Sequence, residues 1–244
     1  MPCAAGAHRR SGRAMLRAMK TIAVLGSGIV GQTLADGFLK HGHTVVRGTR
    51  EPAKLEAWKG TAGPNASVAT FGEAAKKGEL VVLAVKGTAA EEAIALAGVE
   101  ALAGKTVLDA TNPIADAAPT NGVIAFFTGP NESLLERLQK KAPAAHFVKA
   151  FSCVGNVHMV HPEFGGVRPT MFICGNDAGA KRDATEVLEQ FGWDTEDMGA
   201  AEAARAIEPL CMLWCIPGLT RGKLGPRLQA AEEVSARQRR RKPR

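Results

Sequence analysis

The chain has 244 residues, is 45% hydrophobic and 5% aromatic with no tyrosine, and carries a formal net charge of +7. That length and apolar content suffice for one sizeable core, and sparse aromatics beside 27 glycines favour helices packed closely on a sheet. No stretch approaches the ~20 apolar residues of a membrane span, so neither a transmembrane protein nor a membrane partner is expected.

The charge is uneven along the chain. Residues 1–19 hold four arginines and no acid, and 219–244 hold nine Lys or Arg against two Glu. What remains over 20–218 is 18 basic and 22 acidic residues, a net of −4. The chain therefore divides into an N-terminal extension (1–19), one folded domain (20–218) and a basic C-terminal tail (219–244), both ends being expected to be disordered. A basic tail is able to bind nucleic acid, but a mildly acidic core makes nucleic acid an unexpected partner. The extension lacks the apolar run of a secretory signal. A transit peptide and a start site placed too early both fit it, since Met19-Lys20 directly precedes the first strand. Five cysteines (Cys3, Cys153, Cys174, Cys211, Cys215) form no C-x-x-C. The odd count favours reduced thiols and a cytoplasmic setting. Cys211 and Cys215 would share a helix face, where core packing is expected rather than metal binding.

From Lys20 onward, short apolar runs alternate with longer helical segments, the pattern of βαβ units in a doubly wound, mostly parallel α/β sheet. A strand over 21–25 leads through a glycine-rich turn to a helix over 29–40, stopped by His41-Gly42. A second strand (44–47) precedes a helix near 52–59 and a loop at 60–65. A short strand (67–70) and helix (71–77) come before the apolar run 80–85, which reads as a central strand buried on both faces. A helix at 88–97, a strand at 106–108, an irregular loop over 112–130, a helix at 132–141 and a strand at 146–150 follow. Then come a loop (153–168), a strand (169–174), a helix (178–191) and a last strand (193–198). The final helix covers 200–215 and is expected to break or end before Pro217.

The strongest chemical signal is Gly26-Ser27-Gly28-Ile29-Val30-Gly31, a G-x-G-x-x-G between an apolar strand and a helix. The first glycine suits a tight turn, the second lets backbone approach a diphosphate, and the third lets helix and strand pack closely. Free N–H groups and the helix dipole then face the anion. This marks the sheet as Rossmann-type. The end of the second strand reads Arg47-Gly48-Thr49-Arg50-Glu51-Pro52-Ala53-Lys54. Binders of NAD usually place an acid there for the ribose 2′-hydroxyl. Thr49, Arg50 and Lys54 instead offer a hydroxyl and two cations, which suit the 2′-phosphate of NADP(H). Glu51 could partly neutralise Arg50. Two further loops sit at the carboxyl ends of central strands, where ligands bind in open α/β sheets: Ala84-Val85-Lys86 and the stretch through Asn112-Pro113.

On these residues the chain from Met19 to about Trp214 resembles the F420-dependent NADP oxidoreductase family. The matching stretches are Ile22 to Gly31, Gly42 to Val46, Gly48-Thr49-Arg50, Asp109 to Ile114, Lys149-Ala150-Phe151, Thr170 to Gly175, Glu208-Pro209-Leu210 and Leu213-Trp214. The resemblance implies a Rossmann core, NADP(H), and hydride transfer to or from a second redox carrier, either the deazaflavin F420 or a flavin. It also implies that Ser27, Thr49, Arg50 and Lys54 contact NADP. Membrane ferric reductases share the fold in their cytosolic part but need a membrane-spanning segment, and pyrroline-5-carboxylate reductases need a helical dimerisation domain for which too little chain remains. A homodimer is compatible with the resemblance. One departure stands out: Ser152 aligns with a histidine in the acceptor pocket of the deazaflavin reductases.

Hydride transfer between two bound cofactors needs proximity and orientation rather than a side-chain acid or base. No catalytic residue is therefore assigned, and Ser152 and Cys153 are taken as candidates for the acceptor pocket. His158 and His161 lack a third ligand, so no metal is expected, and Cys153 has no base beside it in sequence to make it a nucleophile. The leading reading is an NADP-dependent oxidoreductase whose partner is a small-molecule redox acceptor. A non-catalytic NADP(H)-binding redox sensor is the alternative. Arg50→Ala is expected to weaken NADPH binding by roughly 1.5–3 kcal/mol, about tenfold or more, while leaving NADH nearly unchanged. Calorimetric titration with both cofactors checks this, and equal losses would contradict it.

Overall fold

The computed structural model describes residues 19–221; the expected disorder of the N-terminal extension and basic tail concerns segments almost wholly outside these. Eight strands form one sheet, in the order β3-β2-β1-β4-β5-β6-β7-β8. β1 (Thr21–Leu25), β2 (Thr44–Thr49), β3 (Ala66–Thr70), β4 (Leu80–Leu83), β5 (Thr106–Asp109) and β6 (His146–Lys149) run parallel, as their apolar, β-branched sequences anticipate. β7 (Thr170–Gly175) turns antiparallel to β6, and β8 (Asp194–Asp197) pairs with β7 in parallel.

The strand period of two sorts the core into two layers. Ala23 and Leu25 of β1 face one hydrophobic cluster, and Ile22 and Val24 face the other. On the second face lie α1 (Ile29–Lys40), α2 (Glu56–Ala62) with Trp58, and later α7 (Ala178–Gln190) with Leu188. The first face is covered by α3 (Phe71–Lys77), α4 (Ala90–Ala97) with the short α5 (Val99–Leu102), and α6 (Leu134–Lys141). Each large apolar side chain fully buried in these layers contributes roughly 1.5–3 kcal/mol. The chain closes with α8 (Ala204–Ile207) and α9 (Pro209–Arg221).

Local sequence decides how the helices begin. Thr70 and Ser133 each form a reciprocal capping box, with Glu73 at the start of α3 and Glu136 at the start of α6. Asp177 accepts from Ala180 N at α7. α1 is treated differently: Gly28 is its cap, no side chain bonds the cap, and its first turn holds no acid. The N–H groups there have no intrahelical partner by construction.

Two expectations need correction. The last helical region is not one helix over 200–215. It begins as a 3-10 turn at Ala201–Ala203, continues as α8, and restarts at Pro209, whose missing N–H interrupts the ladder. Nor does it end before Pro217, which lies inside α9. The carbonyl that loses its partner belongs to Leu213, an exposed residue, so the loss falls where water reaches it rather than in the core. The loop expected at 112–130 is indeed irregular, pinned by isolated bridges at Ile114–Phe126 and Thr120–Val123.

Candidate cofactor site

The turn after β1 is shaped by backbone crowding. Gly26 has φ +145°, and a Cβ there would stand 2.1 Å from the Ala84 carbonyl oxygen. A Cβ on Gly31 would stand 2.7 Å from Gly26 O. Gly28 is the opposite case. It lines a depression, and no protein atom lies within 4 Å of where its Cβ would be. The turn is thus tight against β4 and α1 but open at Gly28, with uncapped N–H groups of α1 beside it. This is the form that suits an anionic diphosphate.

Two depressions run along the carboxyl edge of the sheet and meet at Val85 and Lys86. The first, about 300 Å³, is lined by Ser27, Gly28, Thr49, Arg50 and Ala84, with Phe71 and Leu96 supplying apolar wall. The second, about 560 Å³, is lined by Gly87, Thr111, Asn112, Ile114 and Asp116. The loops behind it touch backbone to backbone: a Cβ on Gly87 would stand 1.9 Å from Asn112 O. At the rim Lys86 Nζ lies 2.7 Å from Asp116 Oδ1, an exposed pair of little energetic weight. Asp116 is held below the usual carboxylate range by that hydrogen bond and charge.

The cations past β2 are placed unequally. Arg50 reaches the first depression and pairs loosely with Glu92 at 3.6 Å, both being exposed. Lys54 lines neither depression, and its Nζ bonds Glu51 at 2.9 Å. Glu51 is thereby taken up by Lys54 more than by Arg50. Ile29, Val30 and Gly31 contribute the start of α1 rather than a lining, and the Pro113 carbonyl accepts from Phe127 N at 2.9 Å.

Ser152 and Cys153 line neither depression. Ser152 is buried and reaches the cleft only through its carbonyl, which accepts from Asn112 Nδ2 at 2.8 Å. Phe151 before it adopts φ +63°, the left-handed region. Burial pushes the Cys153 thiol up to about 11, so it is no thiolate at neutral pH. His161 Nε2 lies 3.1 Å from His41 Nε2, and no group of three or more His, Cys, Asp or Glu is placed to hold a metal among the described residues.

Three charged residues behind the second depression, each the first of a stretch that matches the family, carry no assigned site role in the sequence. Lys149, wholly buried, places Nζ 2.6 Å from Asp109 Oδ2, 2.8 Å from Glu208 Oε1 and 3.0 Å from Thr111 O. The ammonium thus has three oxygens around it, two of them on carboxylates. Burial opposes the charge, yet Asp109 and Glu208 outweigh it and raise the lysine pKa. Asp109 Oδ1 accepts from Thr111 N and Oγ1, while Glu208 accepts from Leu134 N and Leu135 N at the start of α6. The network therefore fixes the Thr111-Asn112 wall. Its signal was present: opposite charges end two apolar strands in register, Asp109 opposite Lys149.

A Rossmann sheet with an open glycine turn, a cation past β2 and a cleft along its carboxyl edge has the form of a dinucleotide-binding protein. Residues 21–113 match the family described as NADP oxidoreductase, coenzyme F420-dependent. The chain belongs to this family. A crystal structure titled a "putative f420 dependent nadp-reductase", from Arthrobacter sp. FB24, is 33% identical, with 85% of this chain and 96% of that chain covered and a TM-score of 0.78. The metalloreductase STEAP3 of Rattus norvegicus is 31% identical over 205 residues, 81% of this chain, which spans only 38% of that protein's length. A reductive aminase from Aspergillus terreus, solved with NADPH and ethyl levulinate, shares the fold at 21% identity, with 90% of this chain and 67% of that chain covered and a TM-score of 0.59. Among the described residues, no helix is long and apolar enough to cross a membrane.

Removing the lysine from its network leaves two uncompensated buried carboxylates. Lys149→Met is expected to cost about 3–5 kcal/mol. Denaturant unfolding measures this, and a variant as stable as the parent would show that the network does not hold the wall.

Proposed function

We propose that this chain binds NADP(H) along the carboxyl edge of its sheet and transfers hydride between it and a deazaflavin or flavin. One observation carries the reading: an open glycine turn and Arg50 line one depression, which runs at Val85 and Lys86 into a larger one with room for a second ring system. The turn 26–31 would take the diphosphate on its N–H groups. Thr49 and Arg50 would take the 2′-phosphate, Arg50 by the charged, forked contact that phosphate favours. Lys54, committed to Glu51, would add only its field.

When bound, the nicotinamide supplies or accepts the hydride. The protein's part is orientation. Ala84, Val85 and the Thr111-Asn112-Pro113 wall would set the ring plane, and the 112–130 segment, linked to Lys86 through Asp116, would cover the acceptor and limit water. No histidine or cysteine is among the residues that line the two depressions, and direct hydride transfer needs neither. The acceptor class draws support from the family and from the Arthrobacter protein, described as an F420-dependent NADP reductase.

Purified chain should oxidise NADPH, followed as loss of reduced-nicotinamide absorbance, when F420, FMN or FAD is added, and more slowly with NADH. NADPH that binds but is oxidised by none of these acceptors would overturn the proposed reaction.

A further inference from the structure

Behind the glycine turn lies a charge that the sheet alone does not use. Arg47 is the largest fully buried side chain, at 0% exposure, on β2 opposite Val24. Its Nη2 donates to Gly26 O at 3.2 Å and to Gly28 O at 3.3 Å. Its Nε and Nη1 are buried without a partner. The guanidinium carbon sits 4.7 Å over the Trp58 ring, and Trp58 Nε1 donates to Asp36 Oδ1 at 2.8 Å. Burial lowers the arginine pKa and the nearby Asp36 works against that, but a guanidinium stays protonated in a folded protein. A permanent cation thus lies in the core with two of its three nitrogens unsatisfied.

Such a group is seldom repaid by stability. A buried charge without an ion-pair partner gains no close-contact Coulomb energy to offset its desolvation. Arg47 forms no ion pair among the described residues, so replacing it with an apolar side chain strands no buried counter-charge. The geometry of the turn shows what it does instead. In a trans peptide the C=O and the following N–H point to opposite sides. Drawing the Gly26 carbonyl inward turns the N–H of Ser27 outward. Arg47 reinforces the Gly28 carbonyl, which also accepts from Gln32 N within α1 and leaves the Ile29 N–H facing out where α1 starts uncapped. The same cation sets positive potential behind the turn in a low-dielectric interior, where it is weakly screened.

We propose that Arg47 is the positioning residue and buried counter-charge of the diphosphate subsite. This inference rests on reading the cleft as an NADP(H) site. Arg47 serves the part of the ligand common to NADPH and NADH, whereas Arg50 serves the 2′-phosphate alone.

Calorimetry on Arg47→Met, with NADPH, NADH and adenosine 2′-monophosphate as probes, separates these roles. Affinity for NADPH and NADH is expected to fall together, by about tenfold or more. Adenosine 2′-monophosphate, which has no diphosphate, should bind as to the parent, and the melting temperature should not drop. Unchanged NADPH affinity would overturn the inference. So would an equal loss for adenosine 2′-monophosphate with a lowered melting temperature, which would make Arg47 merely structural. Arg47→Lys keeps the charge on a differently shaped side chain that need not reach both carbonyls, and should lie between parent and Met variant. If the Met variant does not fold, the Lys variant is read by the same comparison: NADPH weakened with adenosine 2′-monophosphate retained supports the inference, and parallel losses overturn it. A parent chain that binds adenosine 2′-monophosphate but not NADPH also overturns the inference, and one that binds none of the probes overturns the cofactor reading itself.

Discussion

The ammonium of Lys149 sits where three distant parts of the chain must meet. It joins Asp109 at the end of β5, Glu208 before α9 and the Thr111 carbonyl in the cleft wall, with no solvent reaching any of the three side chains beyond 2%. Taking a charge out of water costs several kcal/mol, and only good geometry with complete hydrogen bonding offsets it. Here two carboxylates and a carbonyl surround the ammonium, and Glu208 also takes the first N–H groups of α6. The arrangement is therefore all or none, and it holds the loop after β5 against Gly87 after β4.

The carboxyl edge of the sheet accordingly has a braced floor and a less committed rim. Lys149 lies behind the second depression, paired with two carboxylates. Arg47 lies behind the glycine turn and is only partly partnered within the protein. The rim pairs, Lys86 with Asp116 and Arg50 with Glu92, are exposed and easily exchanged for other anions. Rigid walls with adjustable rim charges suit a site that orients two flat redox partners. The chain spans 38% of the length of the rat metalloreductase.

The parallel sheet and the glycine turn were legible because each is a local pattern: apolar runs of four to six residues, and glycines at fixed offsets after the first. Thr49, Arg50 and Ala84 to Lys86 could be located because a ligand cleft falls at strand ends by topology. Arg47 and Lys149 were not legible as functional because a charge within a strand reads as an exposed position until the fold shows both faces covered. Nothing local tells that Glu208, nearly 60 residues on, returns to Lys149. The placement of Ser152 failed for a related reason. Sequence proximity to a strand end put it beside the cleft, but its side chain is buried and it lines neither depression. Pro217 misled as a helix stop because proline forbids one hydrogen bond, not a helix, where the freed carbonyl belongs to an exposed residue.

The claim that the glycine turn and the loops after β4 and β5 together form the NADP(H) cleft is tested most directly by amide hydrogen exchange with and without saturating NADPH. The account requires slowed exchange over residues 26–31, 84–87 and 111–114, with β7 and α7 unaffected. No change at 26–31, or protection confined to other segments, would contradict it.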